Sequence, residues 1–216
     1  MGPDATVDFM AKVIAATPAS KDQDHVPMII DHNPQVPNRQ EALLHGGEDP
    51  GPEMARMARR LEAAGADFLV IPCNSAFAFR DAVEAAVSIP LVSIVDITAD
   101  ACAEFDVVGL LATDGCMSSH IYQDALAQRG VDVRLPDAGE IDELMRLISA
   151  VKAGDKSGVV AESMQSLAVA LVSQECQAII AGCTEIPLVL EESMLDVPLI
   201  SSTDLLAEAT VRIALA

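Results

Sequence analysis

Two cysteines in echoing settings carry the chemistry this sequence offers. Cys73 lies in Gly65-Ala66-Asp67-Phe68-Leu69-Val70-Ile71-Pro72-Cys73-Asn74-Ser75, and Cys183 in Glu175-Cys176-Gln177-Ala178-Ile179-Ile180-Ala181-Gly182-Cys183-Thr184-Glu185. The echo continues downstream: Ile89-Pro90-Leu91-Val92-Ser93 followed by Asp96 matches Val197-Pro198-Leu199-Ile200-Ser201 followed by Asp204. Matched segments in one order at nearly one offset, each with a cysteine at the same strand end, favour an internal duplication over chance likeness between generic βα units. Inverting a carbon centre requires taking a proton from one face and returning one to the other. A single base tends to return the proton where it came from, so two acid/base groups on opposite walls of a cleft suit the task. One must be thiolate while the other is thiol. Both cysteines precede expected helices, whose N-termini would favour the thiolate, with Asn74, Ser75 and Thr184 supplying hydrogen bonds and caps. Of the other cysteines, Cys102 and Cys176 read as buried packing residues, and Cys116, after the turn at Asp114-Gly115, as lining.

The elements that must position this pair are near-continuous apolar strands alternating with amphipathic helices. Apolar runs at Val26–Ile30, Phe68–Ile71, Leu91–Val95, Val107–Ala112, Val131–Leu135, Ala178–Ala181 and Leu199–Ser201 end in turn chemistry. Helical patterns occupy Pro52–Ala64, Ala78–Val87, Ser118–Arg129, Ile141–Ala153 and Val159–Glu175. This alternation specifies α/β architecture with parallel sheets covered on both faces. With the duplication it predicts two similar, pseudo-symmetric lobes, each a mainly parallel sheet flanked by helices. In such sheets ligands bind beyond the carboxyl ends of the strands. The active site is therefore expected in the cleft between the lobes, with Cys73 and Cys183 on its two walls.

Composition narrows the role. The chain has 216 residues and a formal net charge of −20, from 33 Asp and Glu against 13 Lys and Arg. A field of that sign repels nucleic-acid backbones and anionic lipid, so neither nucleic acid nor membrane is an expected partner. No apolar run approaches a bilayer span, and no secretory signal pattern opens the sequence, so a cytoplasmic location is expected. Scattered cysteines without C-x-x-C spacing argue against a zinc site or a disulfide framework. An anionic substrate would need local cations to overcome the global field.

Pro72-Cys73-Asn74-Ser75-Ala76 resembles the P-C-N-T-A-H motif of aspartate/glutamate racemases, and Gly182-Cys183-Thr184-Glu185-Ile186-Pro187-Leu188 resembles their G-C-T-E-(I/V)-P-L motif. Met1-Gly2-Pro3 with Ala5-Thr6, Asp22-Gln23-Asp24-His25, Asn33-Pro34-Gln35-Val36-Pro37-Asn38-Arg39, Gly46-Gly47-Glu48-Asp49-Pro50, Leu110-Leu111-Ala112-Thr113 and Val151-Lys152-Ala153-Gly154 extend the likeness along the whole chain. The resemblance implies racemisation of aspartate, or of glutamate, without pyridoxal phosphate, other cofactor or metal. It implies Cys73 and Cys183 as the catalytic pair and a small acidic amino acid as the partner molecule. Arg39 matches a carboxylate-binding arginine and Lys152 a lysine of similar role. Asn33, Asn74, Ser75, Thr113, Thr184 and Glu185 complete the implied substrate-binding set. By the same resemblance the protein is a homodimer.

The resemblance also sets boundaries and departures. Residues 1–97 are expected to form the first lobe, 98–203 the second, with a C-terminal helix over 204–216 packing back on the first. The family's first strand, ahead of Met-Gly-Pro, has no counterpart in this sequence, so the first lobe is expected to lack that strand and expose apolar surface. Ser75 replaces the motif threonine and keeps its hydroxyl, while Phe77 replaces the motif histidine and removes a polar group near Cys73. Two other readings stand beside racemisation: a related isomerase, decarboxylase or lyase acting on another small carboxylate, and a non-catalytic binding protein.

Overall fold

The fully apolar runs around residues 107–112 and 178–182 pair side by side, and a parallel sheet grows outward from them. The computed structural model describes residues 2–216; Met1, and with it the start of the Met1-Gly2-Pro3 motif, lies outside the described residues. In chain order the elements are α1 (Pro3–Ala16), α2 (Arg39–Leu44), α3 (Gly51–Ala63), β1 (Leu69–Val70), α4 (Arg80–Glu84), β2 (Leu91–Val92), α5 (Ile94–Ala101), β3 (Val107–Ala112), α6 (Asp114–Ser118), α7 (Ile121–Ala127), β4 (Asp132–Arg134), α8 (Ala138–Lys152), α9 (Gly158–Val172), β5 (Ala178–Gly182), β6 (Leu199–Ser201) and α10 (Ser202–Ala214). Short 3-10 turns at Asn74–Phe79 and Ile186–Leu188 follow the two cysteines. The fold is α/β with parallel sheets flanked by helices. No described helix is long and apolar enough to cross a membrane.

The chain divides into two compact units, one of residues 1–94 with 203–216, the other of residues 95–202. The second holds a four-stranded parallel sheet in the order β4-β3-β5-β6. Its central strands are buried on both faces, which is why they read as continuous apolar runs rather than alternating ones. Leu144, Leu147, Ile148 and Val151 from α8, and Val160, Met164, Leu167 and Leu171 from α9, form the core on that sheet. Asp137 and Glu140 close a reciprocal capping box at the start of α8. Gly109 on β3 permits α9 to sit close: a Cβ there would lie 3.0 Å from Leu171 Cβ and 2.7 Å from Ile179 Cδ1.

The first unit pairs β1 with β2 in parallel. Its core gathers Val36, Met54, Met57, Ala58, Leu69, Ala76 and Val83. The internal echo is visible in the pairing. Leu69 aligns with Ile179 and Leu91 with Leu199 in the repeated segments, and Leu69↔Leu91 and Ile179↔Leu199 are register partners in their respective sheets.

Three local expectations change. Val26–Ile30 forms no regular element and, among the described residues, has no strand partner. The continuous helix expected over Ser118–Arg129 is broken because His120 adopts a left-handed backbone (φ 58°), separating α6 from α7. The helix expected over Ala78–Val87 is a 3-10 turn leading into the short α4.

Candidate active site

Cys183 leaves the carboxyl end of β5 and is buried, packed into the core of its unit. Its approach is set by Gly182, where a Cβ would stand 2.9 Å from Leu110 Cδ1 and 3.2 Å from the Leu111 carbonyl oxygen. The Cys183 thiol donates to Glu185 Oε2 at 3.0 Å, and the Thr184 hydroxyl donates to the same oxygen at 3.1 Å. Burial is the main force holding the Cys183 proton, the charge of Glu185 adds to it, and Lys152 pulls the other way; the thiol titrates well above its ordinary value. Lys152, the last residue of α8, thus lies within electrostatic reach of Cys183. Thr113 follows Ala112, whose register partner is Gly182, so Thr113 and Cys183 leave adjacent strand ends. The Thr113 hydroxyl is buried with no protein partner among the described residues. A buried hydroxyl in that state is where a ligand atom or a water is expected. The second unit therefore gathers a thiol, a carboxylate, two hydroxyls and an ammonium group at one end of its sheet.

Cys73 occupies the matching place after β1, half-buried, with Sγ 3.7 Å from Ser75 Oγ. Asn74, Ser75 and Phe77 in the turn that follows are buried. Helix α2 packs against this turn, which brings the segment that begins with Arg39 to the Cys73 region. Arg39 Nη1 donates to the carbonyls of Val36 (3.2 Å) and Pro37 (2.9 Å), fixing the guanidinium, while its Nε has no protein partner among the described residues. Asn33 is tied into the scaffold: its amide nitrogen donates to Glu53 Oε1 and its oxygen accepts from the Gln35 N–H, both at 3.0 Å.

The structure corrects the expected means of activating the cysteines. Each is followed by a 3-10 turn rather than an α-helix, and neither turn has a side-chain cap. Among the described residues no α-helix starts directly after Cys183, and its thiol is shifted upward instead. Burial lifts Cys102 to about 12 and also raises Cys176. Cys116 is buried beside Tyr122. A residue the sequence did not single out is Thr203, fully buried at the start of α10 with its hydroxyl unpaired among the described residues. Its only signal was its place between Ser201 and Asp204, two echo positions.

The chain is similar to known proteins along its length. The sequence profile of the Asp/Glu/Hydantoin racemase family matches residues 1–210. The broad specificity amino-acid racemase RacX of Bacillus subtilis (strain 168) is 30% identical over 223 residues, covering 100% of this chain and 96% of that protein. The structure of Picrophilus torridus aspartate racemase superimposes with a TM-score of 0.88 at 29% identity, covering 99% of this chain and 90% of that one. Glutamate racemase from Francisella tularensis shares the fold at a TM-score of 0.68 and 18% identity, over 98% of this chain and 77% of that one. The chain belongs to the Asp/Glu/Hydantoin racemase family and is an enzyme of that family.

Proposed function

We propose that this enzyme racemises an acidic amino acid, aspartate before glutamate, with Cys73 and Cys183 as its two bases, each serving one face of the substrate Cα. The observation that carries the reading is the equivalence of the two thiols: each stands beyond a parallel strand pair whose register, Leu69↔Leu91 or Ile179↔Leu199, is the same. Cys183, held protonated by burial and by Glu185, fits the proton donor, and in that direction Cys73 is the base. When the substrate enters as the other enantiomer the roles exchange, and Lys152 favours the Cys183 thiolate. Arg39 and Lys152 supply cations for the substrate carboxylates. Arg39 is the better suited to a planar two-point grip because its guanidinium is already fixed by backbone carbonyls.

A wider side-chain range is the second reading. Phe77, apolar and buried near Cys73, replaces a polar motif residue, and the Bacillus subtilis relative is a broad specificity racemase. Chiral chromatography of products from both enantiomers of aspartate, glutamate and a panel of neutral amino acids separates the two. Equal mixtures from L- or D-aspartate, formed faster than from any neutral amino acid, are expected. Turnover confined to neutral amino acids would refute the acidic assignment, and no turnover of any would refute the racemase reading.

A further inference from the structure

Helix α3 holds the segment that leads to Arg39 at two points. Glu53, Arg56 and Arg60, spaced three and four residues apart, share one face of that helix. Arg60 Nε and Nη2 donate to Asp31 Oδ2 at 2.8 and 2.7 Å, and Glu53 Oε1 accepts from the Asn33 amide nitrogen at 3.0 Å. Arg56 pairs with Glu53, and Arg60 reaches it at 3.7 Å. The hydrogen bond from Arg56, aided by the charges of both arginines, holds the Glu53 carboxyl below its ordinary value. Glu53 is therefore an ionised acceptor with no proton to give.

That charge state decides which way the Asn33 amide faces. An ionised carboxylate bonds only its NH2 side, so Asn33 Oδ1 is left to accept the Gln35 N–H at 3.0 Å. The loop that follows is closed at its far end by Asn38, whose side chain accepts the Gln40 N–H at 2.9 Å as α2 begins. Between the two asparagines, Val36 is buried in the core of the unit. The carbonyls of Val36 and Pro37 on this loop are the acceptors of Arg39 Nη1. With Nη1 engaged, the buried Nε has no protein partner among the described residues, and an orphaned buried donor marks where a ligand acceptor belongs. Glu53 is thus linked to the Arg39 guanidinium through Asn33 and the loop it anchors.

We propose that Glu53 is a positioning residue for substrate binding: by orienting the Asn33 amide it sets the loop carbonyls that aim the Nε edge of Arg39 at a substrate carboxylate. The proposal rests on the reading of Arg39 as a carboxylate-binding cation. Glu53 acts on affinity rather than on proton transfer, because none of the bonds in this series involves Cys73.

The test measures KM and kcat for aspartate in Glu53→Ala, Glu53→Gln and Arg56→Ala, and repeats Glu53→Ala in an Arg39→Ala background. Glu53→Ala is expected to raise KM roughly threefold to tenfold with kcat within about twofold, the signature of lost uniform binding. Glu53→Gln still offers an oxygen to Asn33 and should bring KM back to that of the unsubstituted enzyme. Arg56→Ala strips Glu53 of an ion partner but spares its bond to Asn33, so it reports any general loss of stability and should leave KM unchanged. In the Arg39→Ala background Glu53→Ala should add nothing to KM, since both changes act on one grip. If Glu53→Ala fails to fold, Glu53→Asp, which keeps the charge beside Arg56 but draws the acceptor back from Asn33, takes its place with the same expected rise. A KM raised by Arg39→Ala but not by the Glu53 variants would overturn this inference alone, and so would two effects that multiply. An unchanged KM in Arg39→Ala would overturn the reading of Arg39 and this inference with it. Succinate binding, followed by calorimetry, should rank the variants in the same order whether or not aspartate is racemised, and a different order would overturn the inference.

Discussion

The Glu185 carboxylate accepts from both the Cys183 thiol and the Thr184 hydroxyl, so its charge is a lever on the proton that Cys183 carries. Glu185→Gln keeps an acceptor and removes the charge. Under the proposed mechanism, the pH–kcat profile for the enantiomer assigned to Cys183 as base is therefore expected to move toward lower pH. Lys152→Ala removes a charge that favours the thiolate and should move the same limb toward higher pH. Two shifts of one sign, or none, would contradict the assigned electrostatics. At Arg39 the expectation concerns affinity. Arg39→Ala deletes a charge-assisted contact, whose typical worth of ~1.5–3 kcal/mol corresponds to a KM for aspartate raised by roughly tenfold or more. An unchanged KM would remove Arg39 from the site. The equivalent placement of Cys73 and Cys183 beyond β1 and β5 was legible in the sequence because the echo marked both. Their thiol energetics were not, because burial and the bond to Glu185 exist only after folding.

The strand ends that deliver the cysteines depend on small residues, and this gives opposite predictions for two glycines. Gly182→Ala places a methyl group 2.9 Å from Leu110 Cδ1 and 3.2 Å from a backbone oxygen. It is expected to destabilise by ~1–3 kcal/mol, and to lower kcat because Cys183 is the next residue. Gly139→Ala in the first turn of α8 meets only Asp137 Oδ1 at 3.5 Å and is expected to stabilise by ~0.5 kcal/mol through helix propensity. Thermal melts of the two variants check the signs, and equal shifts would contradict the packing account. Long periodic elements such as α8 and α9, and the runs that became β3 and β5, were readable because local pattern and burial agree there. The break at His120 and the 3-10 turns after the cysteines were not. They come from backbone conformations that tertiary packing imposes on otherwise helix-compatible residues.

For the molecule as a whole, several acidic protons are held inside more tightly than in the unfolded chain. Burial raises Cys102, Cys176, Cys183 and Tyr122. For a thiol raised on folding, the native state binds more protons than the unfolded state between the two pKa values. Stability is then fully present below the unfolded value of 9.0 and falls as pH rises toward the folded one, about 12 for Cys102. The Tm is expected to drop from pH 8 to pH 10.5, and Cys102→Ala should flatten that slope even though it lowers the Tm at pH 8. A slope unchanged by the substitution would contradict the assignment. The family and the α/β class were legible from motifs and apolar periodicity along the entire chain. An apolar groove in the first unit was not legible, because its walls depend on how residues 26–33 and 65–72 pack after folding. The claim that two thiols share one proton transfer is tested most directly by α-proton exchange in deuterium oxide. L- and D-aspartate are followed by NMR and chiral analysis with the unsubstituted enzyme, Cys73→Ala and Cys183→Ala. Racemisation with deuterium at Cα is expected from the unsubstituted enzyme and from neither variant, with each variant at most exchanging the α-proton of a single enantiomer without inverting it. Full racemisation by either variant would contradict the account.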